Sequence, residues 1–457
     1  MKKNRKNCII NLFYWVFNMM NKKKYNIVTY GCQMNVHESE KIAGMLCELG
    51  FENCDKMDEA DVVVFNTCCI RENAENHAYG NIGMLKKLKM QNRGMIIAVG
   101  GCLTQQMGKA ENLHEKFPYV DIIFGTHNLH KLKDYLILKQ KQKKPVISVE
   151  DDEGIVFEGD KPYRTSYPNA WVNITYGCNN FCSYCIVPYV RGRERSRKSD
   201  LIISEVKELV SQGYKEITLL GQNVNSYGNG TDDMSFPQLL EKIAKIEGKF
   251  RLRFMTSHPK DFSEELAKVI AENPKICRCV HLPVQSGSDN ILKAMNRKYT
   301  VDDYLNKISI LKKYLPDCAV TTDLIVGFPA ESEEDFEATL NLVKKVNYSS
   351  AFTFVYSKRD GTVAAKMDNQ IPEEISKKRI IELVDLVNSL TREHSSAYMG
   401  KTVEILCEGF DEKKNVYFGR DEFGRMAYFG FNENVVGEFV NVKINRVNGV
   451  SLFGERL

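Results

Sequence analysis

Residues 177–185 read Gly-Cys-Asn-Asn-Phe-Cys-Ser-Tyr-Cys, and this stretch decides how the chain is interpreted. Its spacing, Cys-x3-Cys-x2-Cys, places Cys178, Cys182 and Cys185 on one short loop, with no fourth cysteine or histidine nearby. A structural zinc site is normally closed by four ligands, and an electron-transfer iron–sulfur cluster normally takes four thiolates. Three thiolates therefore indicate a 4Fe-4S cluster with one iron left open for another molecule. A zinc loop or three unrelated thiols is the alternative interpretation.

The composition is that of an ordinary globular protein of two or three domains. The chain has 457 residues, of which 43% are hydrophobic and 27% charged. Its net charge of +4 neither demands nor excludes a nucleic-acid partner. Although there are 14 cysteines, the chain is too long and too rich in core residues for a disulfide scaffold. We therefore predict a reducing, cytoplasmic location.

The first residues resemble a signal peptide, because a basic start is followed by an apolar, aromatic stretch over residues 8–20. No small-residue cleavage site follows, and the apolar stretch is shorter than the roughly 20 residues of a membrane helix. We interpret residues 1–22 as an N-terminal extension ahead of the first domain, in which the first 18 or 19 residues are non-native and an ordinary start lies near Met19 or Met20. A membrane anchor is the alternative, and otherwise we expect no membrane partner.

Residues 23–140 alternate short apolar strands with helical patterns. Strands are predicted at 25–29, 62–66, 95–99 and 120–124, with helices between them such as 38–49 and 73–89. This alternation predicts an open parallel α/β sheet covered by helices. Right-handed crossovers then place the carboxyl end of every strand on the same edge.

That edge carries a second set of cysteines. Cys32, Cys68 and Cys102 follow the first three of these strands, so their thiols should converge where ligands of open α/β sheets bind. Glycines at 31, 100 and 101 would let the backbone approach a bulky ligand. We predict a second iron–sulfur cluster here; three buried structural cysteines are the alternative. Cys69 is a neighbouring candidate, but Cys68 is favoured because it directly follows Asn-Thr.

The remaining chain divides into three parts. Residues 141–168 lose the alternating pattern and are predicted to form a linker or small hairpin. Residues 169–398 return to it, with six strands predicted at 171–175, 216–220, 252–256, 279–282, 320–326 and 351–355. These favour a partial (βα)6 barrel, in which function gathers at the strand carboxyl ends. Residues 399–457 contain five short strands separated by turns, typical of a small antiparallel β-barrel of oligonucleotide-binding type.

The three-cysteine loop resembles that of the radical S-adenosylmethionine (SAM) enzymes, and the order of domains resembles the methylthiotransferases with a TRAM-like terminal module. Three motifs resemble the branch that acts on isopentenylated tRNA: Gly-Cys-Gln-Met-Asn (31–35), Gly-Gln-Asn-Val-Asn-Ser-Tyr (221–227) and Met-Asn-Arg-Lys-Tyr-Thr (295–300). The ribosomal-protein branch usually has Pro-Lys after the first cysteine, and the threonylcarbamoyl-adenosine branch usually has Lys-Val. Cys69 departs from the family, which usually has a small residue there.

The resemblance implies an enzyme that adds a methylthio group to C2 of N6-isopentenyl(dimethylallyl)adenosine at position 37 of tRNA, beside the anticodon, using two SAM molecules. One 4Fe-4S cluster on Cys178, Cys182 and Cys185 would bind SAM, and a second on Cys32, Cys68 and Cys102 would carry the sulfur. Because the C2–H bond is not acidic, no side-chain base can readily remove that proton, and a cofactor must supply radical chemistry. The resemblance also implies an electron donor such as flavodoxin or ferredoxin, and we expect a monomer.

Further SAM contacts are predicted at strand ends. Tyr184 stands at the position that contacts the adenine in the family, and Gln222 where a polar group would hold the methionine end. His258, Gln285 and Ser286 end later strands, and Arg297 could pair with the SAM carboxylate. For each of these residues other than Tyr184, a structural cap or a satisfied core polar group is the alternative.

A basic run follows the cysteine loop and is predicted to contact RNA. It consists of Arg191, Arg193, Arg195, Arg197 and Lys198, and with Glu194 its net charge of +4 equals that of the whole chain. Such runs are often only solvated, but this one adjoins the predicted active loop. The terminal barrel is the other predicted RNA surface.

Two other functions remain open at this point. One is a non-catalytic iron–sulfur RNA-binding protein, which would not need SAM-pocket motifs at successive strand ends. The other is the sister methylthiotransferase that acts on threonylcarbamoyl-adenosine in tRNA.

Overall fold

The computed structural model describes residues 23–69, 72–150, 156–159 and 161–457. The extension predicted for residues 1–22 lies outside the described residues. The chain forms two units. The first ends at Thr165 and adds the separate segment Tyr189–Gly192, and the second comprises Ser166–Pro188 and Arg193–Leu457. No helix in the described part of the chain is long and apolar enough to cross a bilayer.

The first unit is built on a six-stranded sheet in the order β2-β1-β3-β4-β5-β6, and all five pairings are parallel. Its strands are β1 Lys24–Thr29, β2 Glu52–Asn53, β3 Val62–Thr67, β4 Ile96–Gly101, β5 Ile122–Phe124 and β6 Val146–Ser148. Its helices are α1 Gln33–Glu48, α2 Glu72–Gln91, α3 Cys102–Gln105, α4 Lys109–Lys116 and α5 Leu132–Lys141. The predicted parallel α/β sheet is confirmed.

Helices cover both faces of this sheet, which explains why its central strands are apolar throughout. Every residue of β3 and β4 is buried, as expected for parallel strands covered on both sides. One core contains Ile42 and Leu46 of α1, and the other contains Ile82 and Leu85 of α2. The sheet continues past residue 140, because β6 pairs with β5 inside the segment predicted as a linker.

The second unit begins with six barrel strands in two parallel sheets, β11-β10-β7 and β12-β13-β14. Its strands to this point are β7 Asn169–Asn173, β8 Thr175–Tyr176, β9 Arg195–Ser196, β10 Glu216–Leu220, β11 Arg251–Phe254, β12 Cys279–His281, β13 Ala319–Val326 and β14 Ser350–Val355. Helix α6 Val187–Arg191 ends in the Tyr189–Gly192 segment of the first unit. The later helices are α7 Ser199–Ser211, α8 Phe236–Ala244, α9 Glu264–Glu272, α10 Asp289–Ala294, α11 Val301–Tyr314, α12 Glu333–Val346 and α13 Glu373–Ser396. The predicted partial (βα)6 barrel is confirmed.

Alternation along the strands separates the core from an inner face. Val172, Leu219 and Leu324 pack with the helices in the main core. Because successive side chains of a strand point to opposite faces, Asn173 and Asp323 lie on the face turned away from those helices. The carboxyl ends of the strands and this inner face therefore define where a ligand can bind.

The terminal domain is a closed barrel in the order β15-β16-β17-β19-β18, as the sequence predicts. Its strands are β15 Thr402–Asp411, β16 Val416–Arg420, β17 Met426–Gly430, β18 Phe439–Asn448 and β19 Ser451–Arg456. Four pairings are antiparallel, and the parallel pairing of β17 with β19 completes the closure.

Arginine side chains join this barrel to the (βα)6 barrel within the second unit. Arg251 donates from Nη1 to the Arg420 carbonyl at 2.6 Å and from Nη2 to the Glu404 carbonyl at 2.9 Å. Arg425 donates in the other direction, to the Ser349 carbonyl at 2.9 Å. The two barrels are therefore joined through backbone acceptors.

Candidate active site and cofactor sites

The loop that carries three cysteines follows β7 and β8, at the carboxyl end of the first barrel strand. Cys178 and Cys182 are buried and Cys185 is half-buried. The end of α10 and the residues after it hold the loop. Ser183 donates from Oγ to the Ala294 carbonyl at 2.8 Å, and Asn296 donates from Nδ2 to the Phe181 carbonyl at 2.8 Å. The thiols are therefore presented by a fixed loop, as the sequence predicts for strand ends.

Two polar side chains contact these thiols directly. Asn180 Nδ2 lies 3.4 Å from Cys178 Sγ, and Arg297 Nη1 lies 3.3 Å from Cys182 Sγ. Arg297 is buried, and it also donates to the Pro283 carbonyl and to the Tyr299 hydroxyl. Arg297, predicted as a SAM contact, is thus brought to the cysteine loop.

The chemistry of this loop fits an iron–sulfur cluster. Burial raises the pKa of the Cys185 thiol to about 12, so thiolates here need a positive centre such as bound iron. Within the described residues, no three His, Cys, Asp or Glu side chains are arranged to hold a metal ion. A cluster makes a different demand, because its thiolates bind different irons around one core.

Tyr184 lies in the cysteine loop after β8, and Gln222 follows the end of β10. The Tyr184 ring packs edge-on against Phe328, with centroids 6.5 Å apart, in a small apolar cluster that includes Met295 and Ile325. Gln222 is half-buried and lies two residues beyond the end of β10. Both residues therefore lie beyond the carboxyl ends of barrel strands, and they remain predicted SAM contacts.

His258 is buried beside Arg297, and its imidazole ring is uncharged at neutral pH. Its Nδ1 accepts from the Lys260 amide at 3.3 Å, and its ring lies edge-on to Tyr299 with centroids 5.6 Å apart. Burial, followed by the charges of Arg297 and Lys260, lowers the pKa of His258 to about 2. The imidazole is therefore neutral.

Gln285 and Ser286 differ in what they offer a ligand. Gln285 is buried with a φ of +75°, a strained conformation for a residue other than glycine and one common at functional sites. The Ser286 hydroxyl is fully buried, lies 3.3 Å from Thr339 Oγ1 and accepts from the Ser288 amide at 3.2 Å. Because Ser286 is already bonded within the protein, we do not retain it as a SAM contact.

A set of unpartnered polar atoms marks the same barrel end. Buried side-chain oxygen or nitrogen atoms there have no hydrogen-bond partner among the described residues; they belong to Asn173, Thr175, Asn223, Asn225 and Ser257. Buried polar groups are normally paired, so these atoms have hydrogen-bonding capacity left for water or a polar ligand. They were missed from the sequence, although Asn223, Asn225 and Ser257 lie in the strand-end motifs that it singled out.

The inner face of the last three barrel strands combines a contact between a histidine and a carboxylate with exposed aromatic rings. His281 Nε2 lies 3.5 Å from Asp323 Oδ2, and His281 Nδ1 lies 2.9 Å from Thr321 Oγ1. Phe352 is paired with Asp323 across β13 and β14, and its ring is edge-on to His281. Phe352 is 54% exposed and Phe354 is 38% exposed, so this face offers apolar surface near the strand ends.

In the first unit, three predicted ligands follow adjacent strands. Cys32 directly precedes α1, Cys68 directly follows β3 and Cys102 begins α3. Gly31 has a φ of +111°, and a Cβ there would lie 2.7 Å from Cys68 Sγ. The turns that carry Cys32 and Cys68 are therefore in contact. Cys68 and Cys102 are buried, whereas Cys32 is half-buried.

The glycines around these cysteines allow close approach between parts of the first unit. A Cβ at Gly100 would lie 2.2 Å from the Phe124 ring, and a Cβ at Gly101 would lie 2.4 Å from the Thr67 carbonyl oxygen. These glycines therefore allow adjacent strand ends to approach each other, which brings the thiols together.

Cys69 adds a fourth thiol to this site. It is fully buried and shares a hydrogen bond with Cys102. That bond, working against burial and together with the charge of Arg191, lowers the pKa of Cys102 to about 7. The site thus contains Cys69 as well as the three predicted ligands, and their donor set fits a cluster held by thiolates.

Two members of the predicted RNA-binding run are buried in ion pairs instead. Arg191 donates from Nη1 to Glu38 Oε1 at 2.6 Å, and Arg197 donates from Nη1 to Glu205 Oε2 at 2.8 Å and to the Asn173 carbonyl at 2.7 Å. We therefore withdraw Arg191 and Arg197 from the predicted RNA surface, because their guanidinium groups are occupied and shielded.

The rest of the run stays accessible. Lys198 is exposed, Arg195 is half-buried, and Arg193 is exposed and lies over the Phe181 ring at 4.5 Å. These three side chains remain the predicted RNA contacts beside the cysteine loop.

Comparison with known proteins identifies all three parts of the chain. Residues 172–343 match the Radical SAM superfamily, residues 24–125 match "Uncharacterized protein family UPF0004", and residues 396–457 match the TRAM domain. The protein is thus a radical SAM enzyme with a terminal TRAM barrel, and its cofactors are SAM and 4Fe-4S clusters.

Curated relatives define the family more narrowly. The chain is 51% identical to the tRNA-2-methylthio-N(6)-dimethylallyladenosine synthase of Clostridium botulinum, over 95% of this chain and 97% of that protein. It is 53% identical to the synthase of the same name from Clostridium perfringens, over 96% and 98% of the two chains, and 50% identical to that of Caldicellulosiruptor saccharolyticus, over 98% and 95%. The chain therefore belongs to the tRNA-2-methylthio-N(6)-dimethylallyladenosine synthase family.

Solved structures share the fold at low sequence identity. The radical SAM methyltransferase TsrM from Kitasatospora setae is similar with a TM-score of 0.56 and 14% identity, over 76% of this chain and 74% of that chain. The cobalamin-dependent radical SAM enzyme OxsB is similar with a TM-score of 0.53 and 12% identity, over 82% and 57%.

Proposed function

We propose that this protein adds a methylthio group to C2 of N6-isopentenyl(dimethylallyl)adenosine at position 37 of tRNA. The observation that carries the proposal is the near full-length identity to synthases named for this product. Two separate groups of thiols at strand ends support it, because transfer of a methylthio group needs both a radical generator and a sulfur carrier. The comparisons favour neither threonylcarbamoyl-adenosine as the substrate nor a non-catalytic role.

Cys178, Cys182 and Cys185 would hold the 4Fe-4S cluster that binds SAM, and Cys32, Cys68 and Cys102 would hold the second cluster. When bound, these groups supply the radical chemistry and the sulfur that side chains cannot provide. Arg297 would fix Cys182 and keep positive charge at the SAM site. The unpartnered atoms of Asn173, Thr175, Asn225 and Ser257, with Gln222 and the Gln285 turn, would bind the polar parts of SAM.

The inner face of β12–β14 would receive the modified base. An isopentenyl group is apolar, and the exposed rings of Phe352 and Phe354 provide an apolar surface that can exclude water from it. Adenosine beside an anticodon is stacked on its neighbours, so it must be extruded to reach this face. Arg193, Arg195 and Lys198 would bind phosphates nearby, and the TRAM barrel would bind more of the tRNA. An electron donor such as flavodoxin or ferredoxin would serve the reaction.

Nucleoside analysis of tRNA tests this function. A bacterial strain lacking its own enzyme is complemented with the wild-type chain or with the Cys178→Ala, Cys182→Ala, Cys185→Ala triple variant. We expect 2-methylthio-N6-isopentenyladenosine to return with the wild type and its unthiolated precursor to persist with the variant. Appearance of methylthiolated threonylcarbamoyl-adenosine, or no methylthiolation by the wild type, would refute the proposal.

Iron analysis tests the assignment of the ligands separately. We expect about eight irons in the anaerobically reconstituted wild type and about four in the triple variant, since each 4Fe-4S cluster contributes four. If the iron content falls from about four in the wild type to none in the triple variant, the protein holds no second cluster on Cys32, Cys68 and Cys102.

A further inference from the structure

Arg191 is the least accessible cation of the basic run, and it lies among the thiols of the first unit. Its side chain is only 4% exposed. It donates from Nη1 to Glu38 Oε1 at 2.6 Å, from Nη2 to Glu38 Oε2 at 3.1 Å and from Nη2 to Asn35 Oδ1 at 2.9 Å. A guanidinium held by three charged or amide acceptors has one defined orientation.

Asn35 connects this guanidinium to two of the cysteine-bearing turns. Its Nδ2 donates to the Tyr30 carbonyl at 2.8 Å and to the Thr67 carbonyl at 3.0 Å, which precede the turns of Cys32 and Cys68. Its Oδ1 accepts from the Cys32 thiol at 3.8 Å. A change in the position of Arg191 would therefore be transmitted through Asn35 to the turns that carry Cys32 and Cys68.

Cys102, the third cysteine, interacts electrostatically with both members of the Arg191–Glu38 ion pair. Cys102 interacts favourably with the Arg191 charge and unfavourably with that of Glu38, and it shares a side-chain hydrogen bond with Arg191. Burying an arginine away from water is costly unless it is paired, and Glu38 provides that pairing. The part of the Arg191 charge that Glu38 does not neutralise acts on the Cys102 sulfur atom.

Arg191 comes from an unexpected part of the sequence. It lies six residues after Cys185 in the chain, yet the segment Tyr189–Gly192 packs as part of the first unit. Thr126 of that unit donates to the Val190 carbonyl and fixes the segment's backbone. The chain that leaves the SAM-binding loop thus contributes a cation to the other thiol group.

We propose that Arg191, held by Glu38 and Asn35, is a positioning residue that sets the charge at the Cys32, Cys68 and Cys102 site and raises the reduction potential of the cluster bound there. This inference rests on the proposed function only in requiring a cluster on those thiols. Groups that donate hydrogen bonds to cluster sulfurs and net positive charge both favour the reduced form. Arg191 supplies both, and Glu38 opposes them.

The test uses the Cys178→Ala, Cys182→Ala, Cys185→Ala background, in which only the N-terminal cluster remains. Its midpoint potential is measured by redox titration followed by electron paramagnetic resonance, with iron content as a second readout. We expect Arg191→Met to lower the potential, Glu38→Gln to raise it and Arg191→Lys to lie closer to the unsubstituted background than Arg191→Met does. Arg164→Met is the matched control, since Arg164 is paired with the buried Glu40 on the same helix α1 at 2.9 Å, and it should leave the potential unchanged.

Opposite shifts for Arg191→Met and Glu38→Gln are the signature that a merely structural role would not produce. Shifts in the same direction, or no shift in either variant with iron retained, would overturn the inference. If Arg191→Met binds no iron, Glu38→Gln and Arg191→Lys decide: an unchanged potential in Glu38→Gln overturns the proposal, and a raised one supports it. Nucleoside analysis of tRNA is a separate readout, so a wrong substrate assignment would not be mistaken for a wrong role of Arg191.

Discussion

Arg297 Nη1 lies 3.3 Å from Cys182 Sγ, and Arg297 Nη2 donates to the Pro283 carbonyl at 2.9 Å. One buried guanidinium thereby connects the cysteine loop after the first barrel strand to the loop after β12. A lysine can reproduce the charge but not the planar set of three bonds. Arg297 therefore fixes both the position and the electrostatic environment of the Cys182 thiol.

We expect Arg297→Lys to reduce the rate of reductive SAM cleavage about 10- to 100-fold, the usual cost of losing a side chain that orients a metal ligand. Cleavage is measured from 5′-deoxyadenosine release, alongside iron content. Arg392→Lys, an exposed position on α13, is the control and should behave as wild type. Equal rates for both variants would rule out an orienting role for Arg297.

Gly31→Ala should disrupt the N-terminal thiol site. A methyl group there would lie 2.6 Å from Cys68 Cβ, and Gly31 has a φ of +111° that only glycine adopts readily. We expect loss of about half of the bound iron, while the SAM-cleaving cluster is retained. Gly50→Ala is a matched control, because Gly50 has a φ of +83° but nothing within 4 Å of its Cβ position. If both variants lose iron equally, backbone strain rather than the contact with Cys68 is responsible.

Phe352→Ala should weaken selection for the isopentenyl group. Removal of the exposed ring beside His281 takes away apolar contact, and losses of this kind cost about tenfold or more in discrimination. We expect the preference for isopentenylated over unmodified tRNA, measured as a ratio of kcat/KM, to fall about tenfold. Ile381→Ala, at an exposed apolar position on α13, should not change the ratio. A preserved ratio in Phe352→Ala would exclude this face as the recognition surface.

His258 should make the protein less stable in mild acid. Burial, with Arg297 and Lys260, lowers the pKa of His258 to about 2, below the ordinary value of 6.5. Below pH 6.5, His258 binds a proton in the unfolded chain but stays uncharged in the folded chain. The free energy of unfolding therefore decreases as the pH falls from 6.5 towards 2. The expected loss from this group is about 1.4 kcal/mol at pH 5.5 relative to pH 7.5.

Thermal unfolding of the apo protein measures this effect. Wild type and His258→Gln are compared at pH 7.5 and pH 5.5, and the variant should lose less stability because it lacks the titrating group. Identical acid sensitivity in the two proteins would contradict a neutral, buried imidazole at position 258.

Lys198 should contribute to tRNA affinity through phosphate contact. We expect Lys198→Ala to weaken binding similarly for all tRNA sequences and to lower the slope of log affinity against log salt by about one. Lys377→Ala is the control, because Lys377 lies on α13 in an exposed pair with Glu373 at 2.6 Å. An unchanged salt slope in Lys198→Ala would show that its charge is merely solvated.

The order of domains and the position of the cysteines at strand ends could be predicted because both depend on local patterns. Alternating strands and helices determine which edge collects the strand ends, and the cysteines directly follow the predicted strands. The environment of Arg191 could not be predicted in this way. It sits in a basic run that looks exposed, and its partner Glu38 is 153 residues away in the chain. Only tertiary packing distinguishes Arg191 and Arg197 from the exposed Arg193 and Lys198.

The start of α1 was also mispredicted, for a reason tied to the site. The sequence predicts a helix from residue 38, whereas α1 begins at Gln33, directly after Cys32. The residues between, Gln-Met-Asn-Val-His, include weak helix formers. The helix extends through them because Asn35 is buried and bonded to Tyr30 and Thr67, contacts that propensity cannot anticipate.

The arginines that join the two barrels of the second unit have a consequence for experiments with shortened proteins. Arg251 is buried, and it donates to carbonyl groups of Arg420 and Glu404 in the terminal barrel. Truncation before β15 would remove these acceptors and expose the Arg251 guanidinium, together with the surface around it, to solvent. A protein shortened in this way would lose thermal stability as well as RNA affinity, so reduced activity after truncation cannot be credited to RNA binding alone. Point substitutions on the barrel's outer surface separate the two effects.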